Sequence, residues 1–379
     1  MRSYRWNEVG LDRSEDVAQR CTADVRGAGV TLAETLAWLV DIPSETGHEG
    51  RIATAIAERL LPIYGPQGVE RIGNSLVVGH RGGKPLISLY GHTDTVPSQG
   101  QGPAVVVDGR MHGLGTSDMK GGVAVMLHLL EDEAVRSSAF DVIGVFYAAE
   151  EGPQEGNELA SVFEHAAWLD ESELGIILEP TNMNLELGCQ GVINARVSFV
   201  GTSAHSARPW LGENAITKAG PWLQGMGERA PEPVVINGLE FKEVMTVTRA
   251  QGGIANNIIP GSFECNVNYR FAPDKTVEEA EAKLAAALAG VDEYEIVDSA
   301  PAARVEAANH HVERLAALTG AEEHPKQGWT DAARLSERNI PAINYGPGEV
   351  AKAHKVDESV PLENLDAAFG FLKEFFTAG

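Results

Sequence analysis

The chain has 379 residues, 43% of them hydrophobic, which is enough to bury a sizeable core and favours two domains over one. Its 54 acidic against 30 basic side chains leave a net charge of −24, which sets it against phosphate backbones and anionic lipid and excludes nucleic acid and membrane as first partners. No apolar run reaches the length of a bilayer span, the N-terminus is too polar for a signal peptide, and Cys21, Cys189 and Cys265 form no Cys-x-x-Cys pair. These features predict a cytoplasmic protein with reduced thiols, and they assign no task to residues 1–30.

Apolar residues at helical spacing predict helices over 32–40 and 52–61. Short apolar runs follow at 86–90, 142–147 and 174–178, with a helix over 120–130 after the first. This alternation predicts an α/β core with a mostly parallel sheet. Ligands of such sheets sit outside the carboxyl ends of the strands. Each run here stops at an ionisable residue: His92, then Glu150 and Glu151, then Glu179. From Gly191 the texture changes to alternating strands at 192–200, 244–250, 263–271 and 294–297, with helical stretches at 214–226 and 277–288. The order β-α-β-β-α-β is that of a ferredoxin-like unit, read as an insertion. A helix over 305–318, an extended segment at 341–345 and an amphipathic helix over 362–376 return the chain to the α/β core. The expected domains are therefore 1–189 and 303–379 as two parts of one catalytic unit, with 190–302 inserted between them.

Several phrases carry chemistry. In Gly91-His92-Thr93-Asp94 a strand delivers a histidine and an aspartate two positions apart, so they share a face and Asp94 can take the second ring N–H of His92. A polar strand end with a chance histidine would read the same way. Gly113-Leu114-Gly115-Thr116-Ser117-Asp118-Met119-Lys120-Gly121-Gly122 opens a helix but lacks the Gly-Lys-Ser/Thr end of a phosphate loop, and Asp118 there could equally be an N-cap. Glu150 and Glu151 are adjacent at a strand-to-loop bend, where one can be a ligand and the other a base. Glu179-Pro180-Thr181 and Ala353-His354-Lys355 add a further acid and a second histidine. Two histidines with three or four carboxylates and no thiolate suit hydrolytic zinc, or cobalt or manganese in its place, better than structural zinc.

In order and spacing these phrases resemble the M20 metallohydrolases from about Thr31 to the C-terminus. The resemblance implies two metals bridged by Asp118, one completed by His92 and Glu179 and the other by Glu151 and His354. It makes Glu150 the general base and Asp94 the carboxylate that orients His92, and it implies a cis peptide at Asp118–Met119. The insertion becomes a lid and dimerisation domain. Its His205, in Gly201-Thr202-Ser203-Ala204-His205-Ser206-Ala207-Arg208, would enter the partner's site of a homodimer to stabilise the oxyanion, and Asn257 and Arg270 would bind the acyl carboxylate region.

Within the family, Leu187-Gly188-Cys189-Gln190-Gly191, His205-Ser206-Ala207-Arg208, Gly328-Trp329-Thr330-Asp331 and Ala353-His354-Lys355 look most like the actinobacterial type of succinyl-diaminopimelate desuccinylase. Many enzymes of that name carry an arginine where Gln190 stands and Gly-Thr-Ser-Asp where this chain has Gly328-Trp329-Thr330-Asp331. Arg208, Arg270 and Arg334 could compensate as carboxylate partners, with Thr330 as a further substrate contact. The implied substrate is an anionic N-acyl amino acid. Acetylornithine deacetylase or dipeptidase activity is the alternative within the class, and a binding scaffold without catalysis is the alternative outside it.

Overall fold

The structure, a computed structural model, describes residues 29–378, so Cys21 lies outside it. Its first sheet opens with β1 (Val69–Ile72) and β2 (Ser75–Val78), an antiparallel pair. β3 (Leu86–His92) follows and is buried at every residue, as a strand covered on both faces must be. β4 (Val105–Val107) and β5 (Arg110–His112) leave to form a small sheet beside it. β6 (Asp141–Tyr147), β7 (Leu174–Ile177) and β8 (Leu185–Leu187) return to the main sheet.

The chain then leaves for a second sheet, made of β9 (Gly191–Val200), β10 (Glu232–Ile236), β11 (Leu239–Gly252), β12 (Ser262–Phe271) and β13 (Glu293–Ala300). Its order is β10-β11-β12-β9-β13, antiparallel throughout. Helices Ala215–Gly227 and Val277–Ala287 contribute to an apolar cluster with Ile193, Ala195, Val197 and Phe199 of β9, and the alternate residues of β9 face the other way. β14 (Glu323–Pro325), β15 (Ala342–Asn344) and β16 (Ser359–Pro361) complete the strands.

The main sheet has the order β1-β2-β6-β3-β7-β15-β8-β14. Its four central strands, β6, β3, β7 and β15, are parallel, while β2 and β8 pair antiparallel with their inner neighbours. Helices Leu32–Val40, Gly121–Glu131 and Leu362–Thr377 bury their apolar faces in one core on this sheet. Gly122 lets the middle helix approach closely, since a Cβ there would lie 2.3 Å from the Leu178 carbonyl oxygen. The loop that precedes this helix, and Asp118 with it, is thereby set against the end of β7.

Two expectations change. The helix expected over 305–318 is His310–Thr319, because Asn309 caps it by accepting from His311 N at 2.9 Å. The second sheet has five strands where four were expected, because β10 folds back on β11 through Asn237 and Gly238, both at positive φ. Among the described residues, no helix is long and apolar enough to cross a membrane.

Candidate metal centre and active site

His92 ends β3 fully buried, and its ring Nδ1 lies 3.1 Å from the Asp94 carbonyl oxygen. A carbonyl can only accept, so Nδ1 carries the proton and Nε2 is left as the donor atom for a cation. Nε2 faces Asp118 Oδ1 at 3.2 Å and Glu179 Oε1 at 3.9 Å. The carboxylate of Asp94 stands 3.5 Å from Nδ1, farther than the carbonyl of the same residue. Its oxygens accept instead from Glu150 N and Glu151 N, both at 3.0 Å, and from Thr46 Oγ1 at 2.9 Å. Burial pushes Asp94 up, but the His92 ring and those two backbone N–H groups hold it below the ordinary carboxylate range. Asp94 therefore serves both sides of the site: its backbone sets the His92 tautomer and its side chain fixes the Glu150–Glu151 bend.

Asp118 lies in the segment Thr116–Lys120, where its own and Met119's dihedrals are non-helical and the Asp118–Met119 peptide is cis. The segment is held from below. Glu358 accepts from Gly115 N and Ser117 N at 2.9 Å and from Asp118 N at 3.0 Å, and Lys120 Nζ donates to the carbonyls of Leu39 and Ile42. With its backbone so tied, Asp118 turns one oxygen toward each histidine: Oδ1 toward His92, and Oδ2 toward His354 Nε2 at 3.3 Å. His354 Nε2 also lies 3.0 Å from Glu151 Oε1.

Two three-residue donor groups result, His92 with Asp118 and Glu179, and Asp118 with Glu151 and His354, each with its donor atoms within 4.8 Å of one another. Asp118 is common to both. Imidazole and carboxylate donors without thiolate suit a catalytic divalent metal, and a shared carboxylate is how two such metals are held about 3.5 to 4 Å apart. The electrostatics agree with that fit. Burial, and then the neighbouring Asp118 charge, raise Glu179 to about 8, while hydrogen bonds to Asp118 and Glu151 raise His354 to about 10. So many acids crowded together repel one another, and cations between them relieve it.

Glu150 sits beside this centre and is raised well above the usual carboxylate range, first by burial and then by Glu179, Asp331 and Glu151, against the opposing pull of His92. It lines a cavity of about 600 Å³ together with Asn194, Arg270, Asp298, Trp329 and Arg334. Arg270 donates from Nε to Asn268 Oδ1 at 3.0 Å and has no ion-pair partner among the described residues. Arg334 is already engaged, with Nε 2.8 Å from Asp331 and a terminal nitrogen donating to the Gln154 carbonyl. Asp331 in turn accepts from Asn157 Nδ2 at 3.1 Å, which ties the loop after Glu151 to the helix Ala332–Glu337.

The remaining expected residues lie elsewhere. His205, Arg208 and Asn257 are exposed on paired loops of the second sheet, joined by Ser206 N donating to the Asn257 carbonyl at 2.9 Å. His205 Nδ1 accepts from Ala207 N at 3.0 Å, and among the described residues no cluster of possible metal donors includes it. Arg208 does not line the cavity beside Glu150. Thr330 is buried with no hydrogen-bond partner for its hydroxyl, and its neighbour Trp329 reaches the cavity instead. Gln190 is also buried and donates to the Lys242 carbonyl at 2.7 Å, so it ties β11 to the start of β9. Sequence reasoning missed Thr46, Glu358 and the Asn157–Asp331 pair. Glu358 lies only four residues after His354, and its burial is the signal that the sequence lacks.

An imidazole and carboxylate cluster with buried His92 on one side and exposed His354 on the other, and a half-buried acid beside it at the carboxyl end of the parallel central strands, defines a metal-dependent hydrolase of amide bonds. The chain belongs to the peptidase family M20/M25/M40, whose model matches residues 88–378. It is 36% identical over 364 residues to a succinyl-diaminopimelate desuccinylase of Corynebacterium glutamicum, covering 93% of this chain and 97% of that one. It is 37% identical over 355 residues to a Mycobacterium tuberculosis protein provisionally named succinyl-diaminopimelate desuccinylase DapE, covering 93% and 99%. Among solved structures, aminopeptidase PepT from Bacillus cereus matches with a TM-score of 0.72 at 20% identity, over 91% of this chain and 97% of that one, which is a likeness of fold.

Proposed function

We propose that the protein is a di-zinc desuccinylase that cleaves N-succinyl-L,L-2,6-diaminopimelate to succinate and L,L-diaminopimelate, acting as a cytoplasmic homodimer. The observation that carries the reading is the cavity that joins Glu150, beside the two-histidine centre, to the unpaired Arg270 guanidinium. The activity named for the Corynebacterium and Mycobacterium relatives supports it.

Bound between His92, Asp118, Glu179, Glu151 and His354, two zinc ions, or cobalt or manganese, would polarise the amide carbonyl and acidify the attacking water. Glu150 takes the proton of that water as its oxygen bonds to the amide carbon. It then returns the proton to the nitrogen as the C–N bond breaks, so a neutral amine leaves beside a carboxylic acid, whose remaining proton passes to the amine or to solvent to give the carboxylate. Asp94 keeps Glu150 in place through its backbone N–H, at 3.0 Å. Arg270 faces the acyl carboxylate from the cavity wall; Asn257 and Arg208, exposed on the insertion outside that cavity, join it only on closure of the insertion, and Thr330 is assigned a contact that needs its buried hydroxyl to turn toward the site.

In this reading residues 1–189 and 303–379 form the catalytic domain and 190–302 a ferredoxin-like lid that also dimerises. Trp210, Leu211 and Ile254, exposed at 75%, 63% and 84%, flank the His205 loop, and apolar surface of that kind favours burial against a second copy. His205 from that copy would then donate to the developing oxyanion.

The test is a substrate panel on the zinc-loaded protein. An acetyl amide leaves Arg270 unpaired, which costs about 1 to 3 kcal/mol. N-succinyl-L,L-diaminopimelate is therefore expected to exceed N-acetylornithine by roughly a hundredfold in kcat/KM, and Arg270→Ala to narrow that gap. Faster cleavage of acetylornithine or of a plain dipeptide would overturn the acyl assignment.

A further inference from the structure

The cavity beside Glu150 contains a carboxylate that the reaction as described does not use. Asp298 lines it together with Arg270, yet a cleft that admits an anionic substrate loses affinity from a carboxylate in its wall unless the substrate also brings positive charge. How Asp298 reaches that wall is visible in the strand register. Ile296 of β13 pairs with Ala195 of β9, on the face covered by the two helices. With unbroken alternation, Asp298 would fall opposite Ile193 on that same apolar face. The register shifts between Ile296 and Asp298, so Asp298 pairs with Asn194 instead and turns to the cleft.

Side-chain amides then hold it there. Asn194 Nδ2 donates to Asp298 Oδ2 at 3.3 Å, and Asn194 Oδ1 accepts from Asn268 Nδ2 at 2.9 Å and from Asn266 Nδ2 at 3.2 Å. Asn268 Oδ1 accepts from Arg270 Nε at 3.0 Å. A chain of amides across three strands thus fixes one cationic and one anionic group on a single wall, joined through Asn268 and Asn194, near enough for the Asp298 charge to act on Arg270 but without a direct ion pair between them. No lysine, arginine or histidine of the described residues lies within ion-pair distance of Asp298, and Arg270 acts on it only from farther off.

We propose that the Asp298 carboxylate, turned into the cleft by the β-bulge and held by Asn194, receives the ammonium group on the amine-side arm of the substrate. The inference rests on the amide-hydrolase reading of this site and narrows its substrate class to amides whose leaving amine carries a second, charged amino group. It does not depend on which acyl group is removed, since diaminopimelate and ornithine both carry such a group.

The experiment compares wild type with Asp298→Asn, which keeps an acceptor for Asn194 and removes the charge. Two zinc-loaded assays are run, one on N-succinyl-L,L-diaminopimelate and one on N-succinyl-L-2-aminopimelate, which lacks only the ammonium. Wild type is expected to favour the first by roughly a hundredfold in kcat/KM, chiefly through KM. Asp298→Asn should bring the two within a few fold of each other, by lowering kcat/KM on the first substrate and raising it somewhat on the second, where the wall carboxylate no longer opposes an anion, with metal content and melting temperature unchanged. An Asp298→Asn protein that keeps the wild-type ratio overturns the proposal and leaves the desuccinylase reading standing. If wild type cleaves neither succinyl amide, the desuccinylase reading fails, and the same ratio is read with N-acetylornithine against N-acetylnorvaline. A wild-type enzyme indifferent to the ammonium in that pair overturns the proposal as well.

Discussion

Glu150 and Glu151 are neighbours in sequence with different chemical surroundings. Glu151 lies 3.0 Å from His354 Nε2 and shares a donor group with Asp118, whereas Glu150 opens on the cavity and is held high by burial. Glu150→Gln should therefore keep both metals and the melting temperature, since it removes a charge that burial disfavours. It should lower kcat by about 10²- to 10⁴-fold, because an amide cannot take the proton of the attacking water. Metal analysis and single-turnover kinetics on the same sample check this, and a variant near wild-type activity would remove Glu150 from the role of base. The residues of the two donor groups were legible in the sequence because each follows an apolar run or ends a recognisable phrase. The work of Asp94 was only half legible. Its spacing from His92 was plain, but whether its carbonyl or its carboxylate meets the ring depends on how the chain turns after β3, and spacing does not report that.

Among the elements, the segment Thr116–Lys120 positions the most, since Asp118 must face two histidines from different parts of the chain. Its backbone is held by Glu358, which accepts three N–H bonds while almost wholly buried. Glu358→Gln sets an amide NH2 against at least one of those N–H groups, a mismatch that costs about 1 to 3 kcal/mol. Metal affinity should fall by about 10 to 100-fold, as for other outer partners of metal ligands. Competitive chelator titration measures this, and unchanged affinity would show that the segment keeps its shape without Glu358. The long elements could be read from periodicity, as with the helix Leu362–Thr377, expected over 362–376. β10 could not be read that way, because its residues are mostly exposed and lack an alternating pattern. Its one signal was the Asn237-Gly238 pair, whose positive φ values suit a tight hairpin turn.

At the scale of the whole molecule, one chain supplies both donor groups and Glu150 but leaves His205 outside them, on an exposed loop of the second sheet. A histidine can stabilise an oxyanion only within hydrogen-bond reach of it. Either His205 plays no part in the reaction or a second copy delivers it, and the exposed Trp210, Leu211 and Ile254 around its loop favour the second arrangement. The choice can be made by complementation. Glu150→Gln and His205→Ala homodimers should each be nearly inactive, for different reasons. In a mixed dimer, one site combines the intact Glu150 of one chain with the intact His205 of the other, while the second site lacks both. If chains exchange at random, half of the dimers are mixed, so about a quarter of all sites should recover. Activity that rises toward that level after mixing, and stays absent when exchange is blocked by crosslinking each homodimer first, would establish delivery across the interface. Full activity in the His205→Ala homodimer, or an active wild-type monomer by light scattering, would assign the oxyanion to groups within a single chain and reduce the second sheet to a substrate-binding wall.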